Sequence, residues 1–116
     1  MTIYLARVYG PQQPTRGPRI LVDRLWPRGV SKEKLHYDEW VKDLAPSTGL
    51  RKWFDHDPAK WPEFRRRYFA ELDANAAAVD RLRTMIGSRD ATFLYGARDE
   101  QHNDAVALRD YLTQKA

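Results

Sequence analysis

The uninterrupted apolar run Ile20-Leu21-Val22, inside RILVDRL at 19–25, leaves this chain few folds to choose from. A strand with one wet face alternates apolar and polar residues. A continuous run instead marks a strand covered on both faces, as at the centre of an α/β sheet. Residues 2–9, TIYLARVY, give a first strand, with Ile3, Leu5 and Val8 among β-branched and aromatic neighbours and Gly10-Pro11 as its stop. Residues 11–18, PQQPTRGP, read as a loop punctuated by proline and glycine. A further strand is expected at 91–96, ATFLYG, after the turn-like Ser88-Arg89-Asp90.

Between those strands, residues 31–86 carry helix signals and no convincing strand signal. Ser31 suits the cap of a short turn through Lys34, and Ser47 the cap of a segment with Leu50, Trp53 and Phe54 on one side. Asp57-Pro58 is an N-cap followed by a proline where its missing N–H costs little. Trp61, Phe64, Tyr68 and Leu72 recur at helical spacing, with Pro62 restarting the helix near its beginning. Asn75 is placed to cap a helix carrying Val79, Leu82 and Ile86, which Gly87 ends. Residues 101–114 form a last helix with Ala105, Leu108 and Leu112 inward.

The expected fold is therefore α/β, a small mostly parallel sheet of about three strands with helices packed on it. A long helical insert separates strands two and three. The chain has 116 residues, 42% of them apolar, without a linker or repeat, so one domain spanning 1–116 is expected.

Composition removes several chemistries. With no cysteine, disulfides, thiolate metal sites and cysteine nucleophiles are excluded. His36, His56 and His102 have no paired spacing on one helix, so no metal site is expected, and no motif calls for a cofactor. GxGxxG, P-loop and nucleophile-elbow patterns are absent. The N-terminal TIYLARVYG lacks the charge and apolar length of a signal peptide, and no run approaches the roughly 20 apolar residues of a membrane span. A cytoplasmic protein with no membrane partner is expected, and its oligomeric state is not legible.

In open parallel sheets ligands bind beyond the carboxyl ends of the strands. Two polar clusters fall there: Asp23, Arg24 and Arg28 after strand two, and Arg98, Asp99, His102 and Asn103 after strand three. Arginine's planar fork suits phosphate or carboxylate, Gly29 lets backbone approach, and a helix N-terminus favours negative charge. Ser47 and Arg51, in WVKDLAPSTGLR, are a third element. The same residues have a structural reading. Asp23 and Arg24 can fasten the insert to the sheet, Trp26-Pro27 can be a packed corner, and Asp99 and Ser47 can simply cap helices. The run Arg65-Arg66-Arg67 fits the solvated back of a helix, and is the best candidate for phosphate-backbone contacts if nucleic acid is the partner.

Three segments, RILVDRLWPRGVSKEKL, WVKDLAPSTGLRKWFDHDPAKWPEFRRRYFAEL and FLYGARDEQHNDAVALRDYL, resemble the YeaO-like branch of the family known as domain of unknown function 488. The similarity runs from Ile3 to Leu112, and its signatures are VDRLWPRG, APS-x-x-LR-x-WF-x-HDP and the closing Asp-x-x-His-Asn-x-Ala. The resemblance implies a compact α/β domain from a bacterial or archaeal cytosol and supplies no reaction. Longer relatives carry a Cys-His-Arg motif after the strand matching FLYGARD; this chain has His102-Asn103 there, so no thiol mechanism transfers.

Residues and resemblance together lead to an expected ligand site for an anionic small molecule, such as a phosphorylated metabolite or nucleotide. Arg24 and Arg28 clamp the anion in this reading, with Trp26, Gly29, Ser47, Arg51, Asp99 and Asn103 assisting. Asp23 is the candidate base and His102 the candidate proton donor, should the ligand be transformed. A nucleic-acid-binding or regulatory module using the basic surface is the alternative.

Overall fold

Ile20, Leu21 and Val22 are at most 1% exposed, as their unbroken apolar run requires. In the computed structural model, which describes residues 1–10 and 14–114, they belong to a four-stranded, all-parallel sheet. Its strands are β1 (Thr2–Arg7), β2 (Arg19–Leu21), β3 (Glu39–Trp40) and β4 (Asp90–Tyr95), in spatial order β1-β4-β2-β3. β4 is central: Ile3 pairs with Ala91 on one side, and Ile20 with Phe93 on the other.

The alternation of side chains divides the core. Ile3, Ile20, Val22, Phe93 and Tyr95 face the larger apolar cluster, built with the helices. Ala6, Leu21 and Leu94 point the other way, into a small cluster completed by Leu35, Trp26, Val30 and Trp40. Helices thus cover one face, and the irregular segment after β2 covers the other.

The helices are α1 (Thr48–Phe54), α2 (Trp61–Asp73), α3 (Ala76–Ile86) and α4 (Asp104–Gln114), with 3-10 turns at Lys42–Leu44 and Pro58–Lys60. Local rules account for most of their ends. Ser47 Oγ accepts from the Leu50 N–H at 3.2 Å, and Asp57 Oδ1 from the Ala59 N–H at 3.0 Å, with Pro58 in the first turn. Gly87, at φ +62°, closes α3. Phe64, Tyr68 and Leu72 form the buried stripe of α2, and Phe54 stacks on Phe64 at 4.3 Å between centroids.

Four expectations change in detail. β3 lies within 31–86; only two residues long, with Glu39 exposed, it lacks the run and alternation by which a strand is read. Both early strands leave the ladder sooner than expected, although Val8 and Val22 each donate a last bond into β4, to Tyr95 O and Leu94 O. Asn75 does not cap α3 with its side chain; its Nδ2 donates to Asp43 O at 3.1 Å. The last helix starts at Asp104 rather than 101, because Asp99 holds the intervening N–H groups in a turn. Residues 11–13 of the expected loop lie outside the described residues.

Backbone crowding at one point sets the approach to β2. Gly17 has φ +66°, and a Cβ there would stand 1.7 Å from the Asp90 carbonyl oxygen. Gly17→Ala is expected to cost about 3 kcal/mol or more through both φ and clash. Gly49→Ala, in α1 with open space around it, is expected to add roughly 0.5–1 kcal/mol. Urea unfolding midpoints of the two variants check both signs.

Candidate functional site

Because every strand runs the same way, the carboxyl ends of β1, β2 and β4 open on one edge, where a cavity of about 790 Å³ lies. Asp23, just beyond β2, is fixed at its floor: Oδ2 accepts the Gly96 N–H at 2.8 Å, and its carbonyl accepts Trp40 Nε1 at 2.7 Å. A Cβ at Gly96 would crowd Asp23 Oδ2 at 3.1 Å, so glycine eases this close approach. Trp26 Nε1 donates to Val30 O at 2.6 Å and packs edge-on against Tyr37 and Trp40, turning the loop so that Arg28 reaches the rim. Tyr9 Oη donates to the Arg28 carbonyl at 2.7 Å.

The segment after β4 makes the opposite wall. Asp99 Oδ1 accepts the N–H groups of Gln101 and His102, and its Oδ2 lies 2.8 Å from His102 Nδ1. These bonds, led by the Gln101 N–H, hold the Asp99 carboxyl below its usual range. Asn103 caps α4: Oδ1 accepts the Val106 N–H and Nδ2 donates to Asp99 O, both at 2.9 Å. The imidazole of His102 meets the Trp61 ring edge-on at 5.4 Å.

α1 contributes Arg51 and Phe54, and the turn after it Asp55 and His56. Those two are non-glycine residues at φ 47° and 54°. Such left-handed conformations cost about 1 kcal/mol or more each and tend to persist at functional sites.

The first turn of α4 adds Asp104, hydrogen-bonded through its side chain to Asp23. Burial, then the charge of Asp23, raises the Asp104 carboxyl well above the usual range. Burial raises Asp23 as well, opposed by the bond from Asp104, the Gly96 N–H, Arg51 and His56. Two carboxyls in hydrogen-bond contact need a proton between their oxygens, so burial and contact together favour the pair holding one in common.

The structure gathers eight of the expected site residues on this cavity. Asp23, Arg24, Trp26 and Arg28 come from the segment after β2, joined by Arg51, Asp99, His102 and Asn103. Arg24 has a structural duty there, with Nε donating to Pro46 O at 3.0 Å. Gly29 stands apart, beside a smaller hollow near Arg7 and Arg19. Ser47 is not on the wall; its hydroxyl donates to Glu71 Oε2 at 2.6 Å while capping α1. Sequence reasoning missed Asp104, which reads as an ordinary acidic residue in a first helical turn. His56, exposed in the turn after α1, also borders the cavity, although it was not among the expected site residues. Among the described residues, no group of three or more His, Asp or Glu is arranged to hold a metal ion.

Fold and site define a small all-parallel α/β domain with a sheet-edge cavity lined by guanidiniums and a carboxyl dyad. The chain belongs to the family described as the inactive DUF488-N3 subclade, whose model matches residues 2–116. It is 43% identical over 112 residues to the uncharacterized protein YeaO of Escherichia coli K12, covering 97% of each chain. It is 38% identical over 110 residues to the uncharacterized proteins Mb3100c of Mycobacterium bovis and Rv3073c of Mycobacterium tuberculosis, covering 95% of this chain and 92% of theirs. No solved structure matches it.

The dyad sets a pH dependence. A carboxyl whose folded pKa is raised binds more protons folded than unfolded, so its contribution is greatest below the ordinary carboxylate range. That contribution is lost as pH rises through the folded value. Asp104→Asn supplies a permanent donor to Asp23 in place of the shared proton. The variant is expected to be more stable than wild type at neutral pH and to show a flatter decline in stability above the ordinary carboxylate range. Urea unfolding across that range, with wild type alongside, reads both.

Proposed function

We propose that this protein binds an anionic small molecule, a phosphorylated metabolite or nucleotide, in the sheet-edge cavity. The observation that carries the reading is the state of Arg28, Arg51 and Arg98. All three line the cavity, and among the described residues no hydrogen bond engages their guanidinium groups. Guanidinium groups free of hydrogen bonds around a concave site of this size suit planar oxyanion recognition, Arg28 and Arg98 at the exposed rim and Arg51 facing the Asp23 carboxyl. Trp26, Phe54 and Phe64 supply apolar wall for the body of the ligand.

Binding rather than turnover is favoured. The family's description carries the word inactive, and the candidate acid–base groups are already engaged, Asp23 with Gly96 and Asp104, His102 with Asp99. In this reading Asp23 and His102 shape and contact the ligand. Transformation would require each to exchange its present partner.

The nucleic-acid alternative gains no support from its best candidates. Arg66 and Arg67 both grip Glu63, whose carboxyl they pull down to about 2. Arg67 also lies over Trp53, and Arg65 reaches Asp110 and Gln114 while stacked on Phe69. No helix among the described residues is long and apolar enough to cross a membrane.

Ligand-induced melting shifts with phosphate, sulfate and nucleotides test the proposal. Wild type is expected to melt higher in at least one of them. Arg28→Ala and Arg98→Ala, both at exposed positions, are expected to change unliganded stability by no more than about 0.5 kcal/mol. Each is expected to weaken ligand binding about tenfold or more, the worth of a charged hydrogen bond. Arg24→Ala is expected to destabilise the unliganded protein by about 1.5–3 kcal/mol, because the Pro46 carbonyl loses its charged donor. If no ligand shifts wild type, the anion reading is lost.

A further inference from the structure

A site built only for an oxyanion would not place two carboxyl groups on its wall, since the ionised member of the pair repels any anion that approaches. Asp23 and Asp104 nevertheless line the same cavity as Arg28 and Arg98. They arrive from independent elements, the end of β2 and the first turn of α4, so their meeting is a product of the fold. Their depth also differs from that of the cations: Arg28 and Arg98 are exposed, whereas both carboxyls are partly buried. The cavity therefore has a cationic rim and a carboxyl interior. Its volume of about 790 Å³ is in the range of sites for whole metabolites and far exceeds what an inorganic oxyanion fills.

The carboxyl interior has a specific donor and acceptor pattern. In its singly protonated form the pair carries one negative charge, which Arg51 and His56 face. It keeps acceptor lone pairs on both residues, its one O–H being held between them. A vicinal diol matches this pattern, because its two adjacent hydroxyls each donate to one of two adjacent carboxyl groups. In dinucleotide-binding sheets a single carboxylate at this edge accepts from a ribose hydroxyl. A cationic group would match the charge, but Arg51 and His56 already occupy that role.

We propose that the ligand is a phosphate ester carrying vicinal hydroxyls, a sugar phosphate or ribonucleotide, with its phosphate at Arg28 and Arg98 and its diol on the Asp23–Asp104 pair. This rests on the anion-binding reading of the same cavity and adds the chemistry of the other end of the ligand. Asp104 is then a specificity-determining residue: it selects hydroxylated phosphates over bare ones.

Titration calorimetry of the full chain with four probes tests this: inorganic phosphate, ribose 5-phosphate, adenosine 5′-monophosphate and 2′-deoxyadenosine 5′-monophosphate. Adenosine 5′-monophosphate is expected to bind at least about tenfold more tightly than its 2′-deoxy analogue, the worth of one hydrogen bond to a charged group. Inorganic phosphate is expected to be weaker than either. Ribose 5-phosphate as tight as the ribonucleotide identifies a sugar phosphate, and ribose 5-phosphate much weaker identifies a nucleotide; both support the proposal. Asp104→Asn, checked for cooperative unfolding, is expected to collapse the ribo-to-deoxy ratio. The wild-type series stands without that variant. Equal affinity for the ribo and deoxy nucleotides overturns the diol proposal and leaves the anion reading intact. Failure of all four probes to bind overturns both.

Discussion

Everything in this molecule leans on β4. Its residues from Ala91 to Tyr95 are buried, and its backbone is paired on both edges, by β1 and by β2. A strand so enclosed leaves no polar group for water to satisfy, so its neighbours must supply the whole ladder. Its buried threonine, Thr92, exchanges two bonds with the backbone of Arg16, each 2.9 Å long, and so secures the approach to β2. The close passage of Gly17 over Asp90 belongs to the same arrangement. Parallel pairing then brings three carboxyl ends to one edge. The cavity follows from that topology.

Charge is distributed by partner rather than by sequence. The chain carries a net charge of +4, and its densest basic run, Arg65-Arg66-Arg67, is largely neutralised by Glu63 and Asp110 or laid over aromatic rings. Three arginines whose guanidinium groups make no hydrogen bond among the described residues, Arg28, Arg51 and Arg98, are scattered in sequence and gathered at the sheet edge. Isolated surface ion pairs contribute little to stability. Here their effect is on availability: they remove the obvious cations from ligand binding and leave the less obvious ones.

Much of this was legible beforehand. Ile20-Leu21-Val22 announced a strand covered on both faces, Ser47 and Asp57-Pro58 announced helix starts, and Trp61 to Leu72 announced a buried stripe; each arises from local geometry or from burial. Misses occurred where a side chain had two local options and a distant partner chose between them. Asn75 is a good cap by type, yet the Asp43 carbonyl takes its amide. Ser47 looked available to a ligand, yet Glu71 takes its hydroxyl. Glu39–Trp40 has no strand pattern of its own and pairs because β2 offers an open edge.

By itself the sequence determined the class of fold and the segments that border the cavity, because hydrophobic period, caps and proline positions act over a few residues. It also determined the chemical types present there, guanidinium, carboxyl and imidazole, with no thiol among them. Tertiary structure alone decided which of those groups meet. Asp23 and Asp104 are 81 positions apart, and their shared hydrogen bond exists only because parallel pairing of β2 with β4 brings the first turn of α4 over the end of β2. The ionisation of a carboxyl depends on burial and on neighbours within a few ångströms, and neither is encoded locally.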